Sequence, residues 1–364
     1  MKRVSGFTAL FMSALAAAAV LSCASAPPAL TAEGYLQRGM NHLEMRQVDQ
    51  SWGLHLTPVQ FERAYADFNR AIQQDPALVA AYALRGWIYQ RDGELDLAMA
   101  DFNRAVQLGS DFASPYLGRG AVYTIRREFE RALAEIALAI QRNPHHGGNF
   151  FWRGQAHLGR RDFASAIADF TQALRVNPNN ANAYNWRGVA HFNRGEFETA
   201  IADFTSAIRL NPHFWSAFGW RGDARFNRGE FENAIADFTQ VIRLNPGFAW
   251  AHDMRGRAHH NRGDFEAAIA DLTQAIRLNP DLVSAYNWRG DAFSHRGEFD
   301  RAIADFTQSI RLDPNNAWVF NSRGLAHFHR RDFNNAAVDF EAVLRLDPNH
   351  PHARGNLEES LRLR

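Results

Sequence analysis

The sequence predicts an all-α repeat array, built from helical hairpins stacked along the chain. Three observations predict it. A 34-residue pattern recurs without a gap in eight copies from Val79 to His350, and self-similarity at a fixed period of this length marks a repeat array. Each copy carries two stretches whose apolar residues recur at helical spacing. Between and after those stretches stand glycine, an acid and proline, the residues that stop and start helices.

Positions are counted from the first residue of each copy, so that Ala181 is position 1 of the copy 181–214. The first helix of the unit, A, has an aromatic or His at position 4 (Tyr82, Tyr116, Phe150, Tyr184, Phe218, His252, Tyr286, Phe320). Position 8 is Gly throughout, from Gly86 to Gly324, and position 11 is aromatic or His except at Arg225. Positions 4, 8 and 11 share one helical face, which predicts the packing face of helix A. Glycine inside a helix costs about 1 kcal/mol against Ala. Its use in every copy predicts a close approach, with the Ala that always fills position 20 as the expected partner. That Ala opens the stripe of the second helix, B, at positions 20, 21, 24, 27 and 28: Ala200, Ile201, Phe204, Ala207 and Ile208.

The breaks follow from residue chemistry. Position 15 is Gly in five copies and Arg127, Arg161 or Arg331 in the others, a place suited to the left-handed residue that ends a helix. Position 16 is always acidic, as the positive N-terminus of helix B favours. Position 32 is Pro except at Ser110, and a helix cannot continue there. Position 7 is Arg in every copy and position 23 is an acid in every copy, from Asp101 to Asp339. A partly buried Arg needs a partner, so this equal recurrence predicts a ladder of Arg–carboxylate pairs between helices.

An aromatic at 4, Gly at 8, Ala at 20, mostly Phe at 24, mostly Ala at 27 and Pro at 32 together resemble the tetratricopeptide repeat (TPR). The resemblance covers about nine tenths of the chain. It departs from the family at position 7, where Arg replaces the usual Leu, and in placing Trp at position 6 (Trp152, Trp186, Trp220, Trp288). It implies a right-handed superhelical solenoid of about nine helix–turn–helix repeats plus a C-terminal capping helix, with a concave face lined mostly by A helices. It implies no chemistry, no cofactor and protein partners.

Residues 1–22 read as a lipoprotein-type signal peptide. Lys2 and Arg3 give the basic start, and Phe7 to Leu21 is an apolar run too short to span a bilayer comfortably. Val20-Leu21-Ser22-Cys23 resembles a bacterial lipobox, which makes Cys23 the expected lipid attachment site and 23–31, with Pro27 and Pro28, a stiff tether. The alternative is simple cleavage, after Ala26, where the following Pro27 is unfavourable, or after Ala24, giving a soluble periplasmic or secreted chain. Cys23 is the one cysteine, so no intrachain disulfide forms. The expected location is the periplasmic side of a bacterial membrane, reached through the N-terminal lipid.

Residues 32–78 read as an irregular first copy. Tyr35 to Arg46 supplies helix A, with Arg38-Gly39 at positions 7 and 8; Ala64, Phe68, Ala71 and Pro76 mark helix B. An insert at 48–60 separates them, holding Trp52, Leu54 and Leu56, and Thr57-Pro58-Val59-Gln60 restarts the helix as a capping box. The insert is expected to cap the first copy or to lean into the groove. Copies fill 79–350, and 351–364 is one A-type capping helix with Glu358 where Gly stood.

Formal net charge is +1, and Lys2 and Arg3 belong to the leader, so nothing attracts nucleic acid in bulk. No HExxH, P-loop, nucleophile elbow or dinucleotide turn is present, and the expected protein is no enzyme. Three Arg-Gly-Asp triplets (Arg221, Arg262 and Arg289 onward) are by-products of the repeat, two of them lying mid-helix. Histidines at position 11 are expected to pack, without a metal site.

What remains is the variable stripe at positions 2, 5, 9, 12 and 13 of helix A. Its expected partner-binding residues are Phe151, Asn185, Phe192, Asn193, Phe226, Asn227, Asn261 and Asn287. Asn offers both a donor and an acceptor, and aromatics anchor interfaces. The absence of Lys beyond Lys2 argues against a carboxylate-clamp groove. The function expected is a membrane-anchored adaptor of envelope proteins. The alternative is a carrier holding a small or lipidic ligand in the aromatic part of the groove.

Overall fold

The computed structural model describes residues 30–45 and 57–364. The leader, Cys23, and residues 46–56 of the insert with Trp52 lie outside the described residues. Among the described residues there are nineteen helices and no strand. The chain divides into two compact units, met at Ser110, the copy whose position 32 is not Pro. The first holds α1 (Ala32–His42), α2 (Pro58–Gln74), α3 (Val79–Arg91) and α4 (Leu95–Gln107). The second holds α5 (Ser114–Ile125), α6 (Phe129–Arg142), α7 (Gly147–Gly159), α8 (Phe163–Val176), α9 (Ala181–Asn193) and α10 (Phe197–Leu210). It continues with α11 (Trp215–Asn227), α12 (Phe231–Leu244), α13 (Ala249–Arg262), α14 (Phe265–Leu278) and α15 (Val283–His295). It ends with α16 (Phe299–Leu312), α17 (Ala317–His329), α18 (Phe333–Leu346) and α19 (Ala353–Leu363).

Odd-numbered helices are A helices and even-numbered ones B. Within each unit every helix packs against the next in the chain, and in the second unit successive A helices from α5 to α17 also touch. This is the all-α repeat solenoid that the period predicts. No helix among the described residues is long and apolar enough to cross a membrane.

The turns carry the expected chemistry. Gly93, Gly195, Gly229, Gly263 and Gly297 sit at φ of 76 to 87°, and Arg127, Arg161 and Arg331 take the same left-handed conformation at 62 to 63°. The position-16 acids stand at the N-caps of the B helices, where Asp162, Asp264 and Asp332 accept a backbone N–H three residues on. In the irregular copy α2 starts at Pro58, one residue after Thr57, whose backbone N–H donates to Gln60 Oε1 at 2.8 Å. Residues 58–60 therefore belong to the helix and not to the insert.

The partner of the position-8 glycine differs from expectation. A Cβ on Gly188 would stand 2.7 Å from the Phe204 ring, and one on Gly222 2.7 Å from the Phe238 ring. In these copies the bare backbone receives the position-24 side chain rather than the position-20 Ala. Phe68, Phe102, Phe170, Phe204, Phe238, Phe306 and Phe340 are each fully buried, and each such ring contributes about 1.5–3 kcal/mol of burial. Where Ile136 or Leu272 replaces Phe, the side chain is narrower and the B-helix backbone, at Ala132 or Ala268, also comes within 3.3 Å of the glycine site.

The fully buried face of helix A also differs. Positions 3 and 10 are completely covered, as at Ala183 and Ala190 or Ala251 and Ala258, whereas Tyr184 and His191 at positions 4 and 11 are half-buried. Small residues at 3 and 10 let neighbouring helices approach on that side, while positions 4 and 11 carry polar tips that remain near solvent.

Candidate functional site

The ladder is present and defines what the repeat uses for itself. In the copy 181–214, Arg187 Nε and Nη2 donate to the two oxygens of Asp203 at 2.9 and 2.7 Å. The same pairing within each copy joins Arg85 to Asp101, Arg119 to Glu135, Arg153 to Asp169, Arg221 to Asp237, Arg255 to Asp271, Arg289 to Asp305 and Arg323 to Asp339. Arg38 and Asp67 repeat it in the irregular copy. The third nitrogen reaches back one copy: Arg187 Nη1 donates to Thr171 Oγ1 at 3.1 Å, and Arg221, Arg255, Arg289 and Arg323 do the same to Thr205, Thr239, Thr273 and Thr307. One guanidinium thus fastens three helices, using the planar fork that Lys lacks. Arg85 uses Asn69 in that place, donating Nη1 to its Oδ1 at 2.6 Å; Arg153 has Ala137 there, and its side chain is 34% exposed against 21% for Arg187.

The position-11 histidines belong to this framework. His191 and His327 contact the position-16 acids Glu196 and Asp332 at 2.6 and 3.1 Å, and His157 and His259 approach Asp162 and Asp264 at 3.5 and 3.6 Å. Arg225, the outlier, donates to the ladder acid Asp237 at 2.8 Å. Two of the Arg-Gly-Asp arginines, Arg221 and Arg289, are ladder members.

Against that saturated framework the stripe stands out. Buried side-chain atoms without a hydrogen-bond partner include Asn185 Oδ1, Asp223 Oδ1, Asp253 Oδ1, Arg257 Nε, both ring nitrogens of His260, Ser294 Oγ and Asn321 Oδ1. All of these stand at positions 5, 9 or 12 of A helices; His157 Nδ1 and His252 Nδ1, elsewhere on helix A, complete the set among the described residues. An unmade hydrogen bond at a buried group costs about 1–3 kcal/mol, so the stripe is where a ligand has most to offer.

The expected site residues fall into three groups. Asn185 is 2% exposed, so it does not lie on an open surface as expected. Asn287, half-buried, accepts from Ser309 Oγ of its own B helix. Asn193, Asn227 and Asn261 are exposed, and each Nδ2 donates at 2.8 Å to the carbonyl four residues back, of Val189, Asp223 and Arg257. Their donors are committed to their own helix, which leaves Oδ1 to face outward.

Phe151, Phe192 and Phe226 are half-buried and also pack between copies. Phe151 meets Phe170 edge-on at 5.8 Å, Phe192 meets Phe197 and Trp220 at 5.4 Å each, and Phe226 meets Phe231 at 5.5 Å. The Arg257 guanidinium lies 5.4 Å from the Phe226 ring and 5.4 Å from that of Trp288. The aromatics thus form part of the joint between successive A helices and are not free anchors.

Sequence reasoning missed the acids beside them. Asp253 is 3% exposed, with Oδ2 accepting from Ser284 Oγ at 3.0 Å and Oδ1 unpartnered. Burial pushes the Asp253 carboxyl up to about 6 and that of Asp223 up to about 7, each partly offset by the Arg257 charge. Both acids stand one copy apart on α11 and α13 with Arg257 between them in charge terms. The readable signal was an acid at position 5 or 9 in three consecutive copies (Asp223, Asp253, Asp291), where none of the other copies has one.

Helical hairpins stacked in sequence, a repeated internal clamp and a variable A-helix face define a repeat scaffold of the kind that binds other proteins. A profile described as tetratricopeptide repeat matches residues 151–212, 191–248 and 254–317, and a second of the same description matches 79–110, together just over half of the chain. The chain belongs to the tetratricopeptide repeat family. No curated protein matches it by sequence. Among solved structures, the C-terminal part of a TPR repeat-containing protein from Cytophaga hutchinsonii aligns with a TM-score of 0.55 at 17% identity, covering 66% of this chain and 98% of that one. A TPR protein from Parabacteroides merdae aligns at 0.51 and 19%, covering 68% and 98%. The Cut9–Hcn1 hetero-tetramer of the APC/C aligns at 0.52 and 17%, covering 91% and 67%. At these identities the likeness is one of fold. That fold supports a protein–protein interaction adaptor, and TPR proteins are generally non-enzymatic scaffolds.

Proposed function

We propose that this protein is a membrane-anchored, non-enzymatic adaptor on the periplasmic side of a bacterial membrane, holding a segment of an envelope protein along the A helices α9 to α15. The observation that carries the reading is the placing of unpartnered buried polar atoms at positions 5, 9 and 12, while positions 7, 11, 16 and 23 are paired within the framework. An extended or helical segment crossing several A helices satisfies those atoms one copy at a time. Asp223 and Asp253 favour a basic side chain on that segment, because two desolvated carboxyls share only Arg257 as a counter-charge. Phe192, Phe226 and Trp288 offer apolar edges beside it. Two open surface pockets lie instead at A–B turns, around Arg127–Arg131 with Arg160 and around Gly195–Thr199 with Arg228; neither provides an enclosed chamber for a carried lipid.

The anchor rests on the apolar leader ending in Val20-Leu21-Ser22-Cys23. The test has two arms. Pull-down from solubilised membranes with the full chain is expected to enrich a partner that Asp253→Asn captures at least roughly tenfold less well, the scale of a lost hot-spot contact. Equal capture moves the binding face elsewhere. Cys23→Ser is expected to leave the membrane fraction, and a variant that stays there removes the lipid anchor from the reading.

A further inference from the structure

We propose that His260, Asp291 and His295 form a site for a divalent transition-metal ion, zinc foremost. Asp291 and His295 stand at i and i+4 on α15, hence on one face of that helix, with His295 Nε2 3.7 Å from Asp291 Oδ2. His260 comes from the next A helix back, α13, and its Nε2 lies 2.7 Å from the same oxygen. One donor atom from each residue lies within 4.8 Å of the other two. Four ligands around zinc at about 2.0–2.2 Å stand roughly 3.3 Å from one another, so on binding the His260–Asp291 separation of 2.7 Å opens and the His295–Asp291 separation of 3.7 Å closes, each by roughly half an ångström.

His260 supplies the independent observation. Its side chain is nine-tenths buried, yet neither ring nitrogen has a hydrogen-bond partner. The Asp291 oxygen is close to Nε2 but not aligned for a hydrogen bond. Buried ring nitrogens are ordinarily satisfied, and His260 is the one residue among those described with both ring nitrogens buried and without a hydrogen-bond partner. His260 and His295 occupy positions 12 and 13, where the two preceding copies carry Phe192-Asn193 and Phe226-Asn227.

The rings are held in place by their surroundings. His295 stacks on Phe265 at 4.7 Å and 3°, and His260 meets Trp288 edge-on at 5.0 Å and Phe265 at 5.3 Å. His295 is more than half exposed, so an ion enters from solvent and keeps a position open for water or an outside ligand, as three-ligand zinc sites do. Two imidazoles and one carboxylate select zinc, cobalt or nickel over magnesium or calcium. This inference stands apart from the adaptor reading, since it needs no partner.

The test uses the untagged full chain, stripped with a chelator and titrated with Co²⁺ in the visible and with Zn²⁺ by calorimetry. The expected result is one ion per chain with a tetrahedral-type cobalt band. His260→Asn and His295→Asn should each weaken binding beyond the roughly tenfold to hundredfold loss typical of a supporting contact. His213→Asn, an exposed histidine in a turn, should bind as the parent does. Circular dichroism checks folding; if His260→Asn unfolds, the exposed His295 carries the comparison. Absence of stoichiometric binding, or parental affinity in the His260→Asn/His295→Asn double variant, shows that the three residues are an ion pair and a packed ring only.

Discussion

Replacing Asp203 by Asn tests whether the ladder holds the hairpins together. The substitution keeps the shape of the side chain but removes the charge that accepts from Arg187 Nε and Nη2 at 2.9 and 2.7 Å. The carboxylate hydrogen bonds hold the Arg187 guanidinium above its ordinary pKa. Removing one partner of a fully buried pair costs about 3–5 kcal/mol, and an exposed pair is worth at most about 1 kcal/mol. Asp203 is 6% exposed and Arg187 21%. The guanidinium therefore recovers part of its hydration and keeps Thr171, which places the loss near 2–3 kcal/mol between those limits. In a cooperative unit of this size that lowers the melting temperature by roughly 5–10 °C. Thermal unfolding followed by circular dichroism reads it directly, and a double-mutant cycle with Arg187→Met isolates the pairwise part. Asp67→Asn should cost less, because Arg38 is 44% exposed. A parent-like melt for Asp203→Asn, within about 2 °C, would mean that the ladder is a row of solvated ion pairs and that apolar packing alone fixes the hairpin.

Three further outcomes are expected. Gly188→Ala gains about 1 kcal/mol of helix propensity, but its Cβ would stand 2.7 Å from a fully enclosed Phe204 ring and overpacking costs about 1–3 kcal/mol; the net expectation is a lower melting temperature, restored in part by Phe204→Leu. The Phe192→Ala/Phe226→Ala pair should lose partner capture and also stability, by a few kcal/mol on the scale of large-to-small changes, because both rings pack on neighbouring helices; an unchanged melt would restore them to the status of free anchors. Asp223 and Asp253 have folded pKa values raised from 3.8 to about 7 and about 6, so the folded chain binds more protons than the unfolded one between those limits. Their contribution to stability is complete below about pH 4 and is lost as pH rises through about 6 and 7. Asp223→Asn should therefore leave stability unchanged near pH 4 and raise it at pH 8, by a few kcal/mol at most; a pH profile parallel to the parent's refutes the assignment.

How much of this was legible in the sequence depends on which residues repeat. The helices, turns and ladder were readable because Gly188, Glu196, Arg187 and Asp203 recur in phase, and each recurrence has a local physical meaning. The identity of the partner in a contact was less readable. Gly188 was paired with Ala200 on the argument that small meets small, whereas the backbone gap admits the large Phe204 ring. Positions 3 and 10 were passed over because Ala there looks like ordinary helix former, although it is fully covered. The stripe was readable as the positions that the repeat leaves variable, but its composition misled. Asn193, Asn227 and Asn261 suggested free donors that are spent on their own helices, and Asn185 is buried. Asp253 and His260 gain their meaning only from the next A helix, 31 to 35 residues away in the case of Ser284, Asp291 and His295, which a single-copy comparison does not bring together.

The same division between framework and face bounds the footprint of any partner. Where position 5 or 9 is apolar and enclosed, the A helix spends that face on its neighbours. Leu117 and Ala121 on α5 are both buried, and no unpartnered buried side-chain atom occurs on α5 among the described residues. From α9 onward the character changes: Asn185, Asp223, Asp253, Arg257, His260, Ser294 and Asn321 follow one another through five successive A helices. Each tolerates its unpaired atom because the ladder and the buried position-24 side chain hold the hairpin without its help. Under the proposed reading, polar substitutions at 5, 9 and 12 retune a partner while the pairs at 7 and 23 keep the stack, whereas the position-12 rings Phe192 and Phe226 serve packing as well as the face.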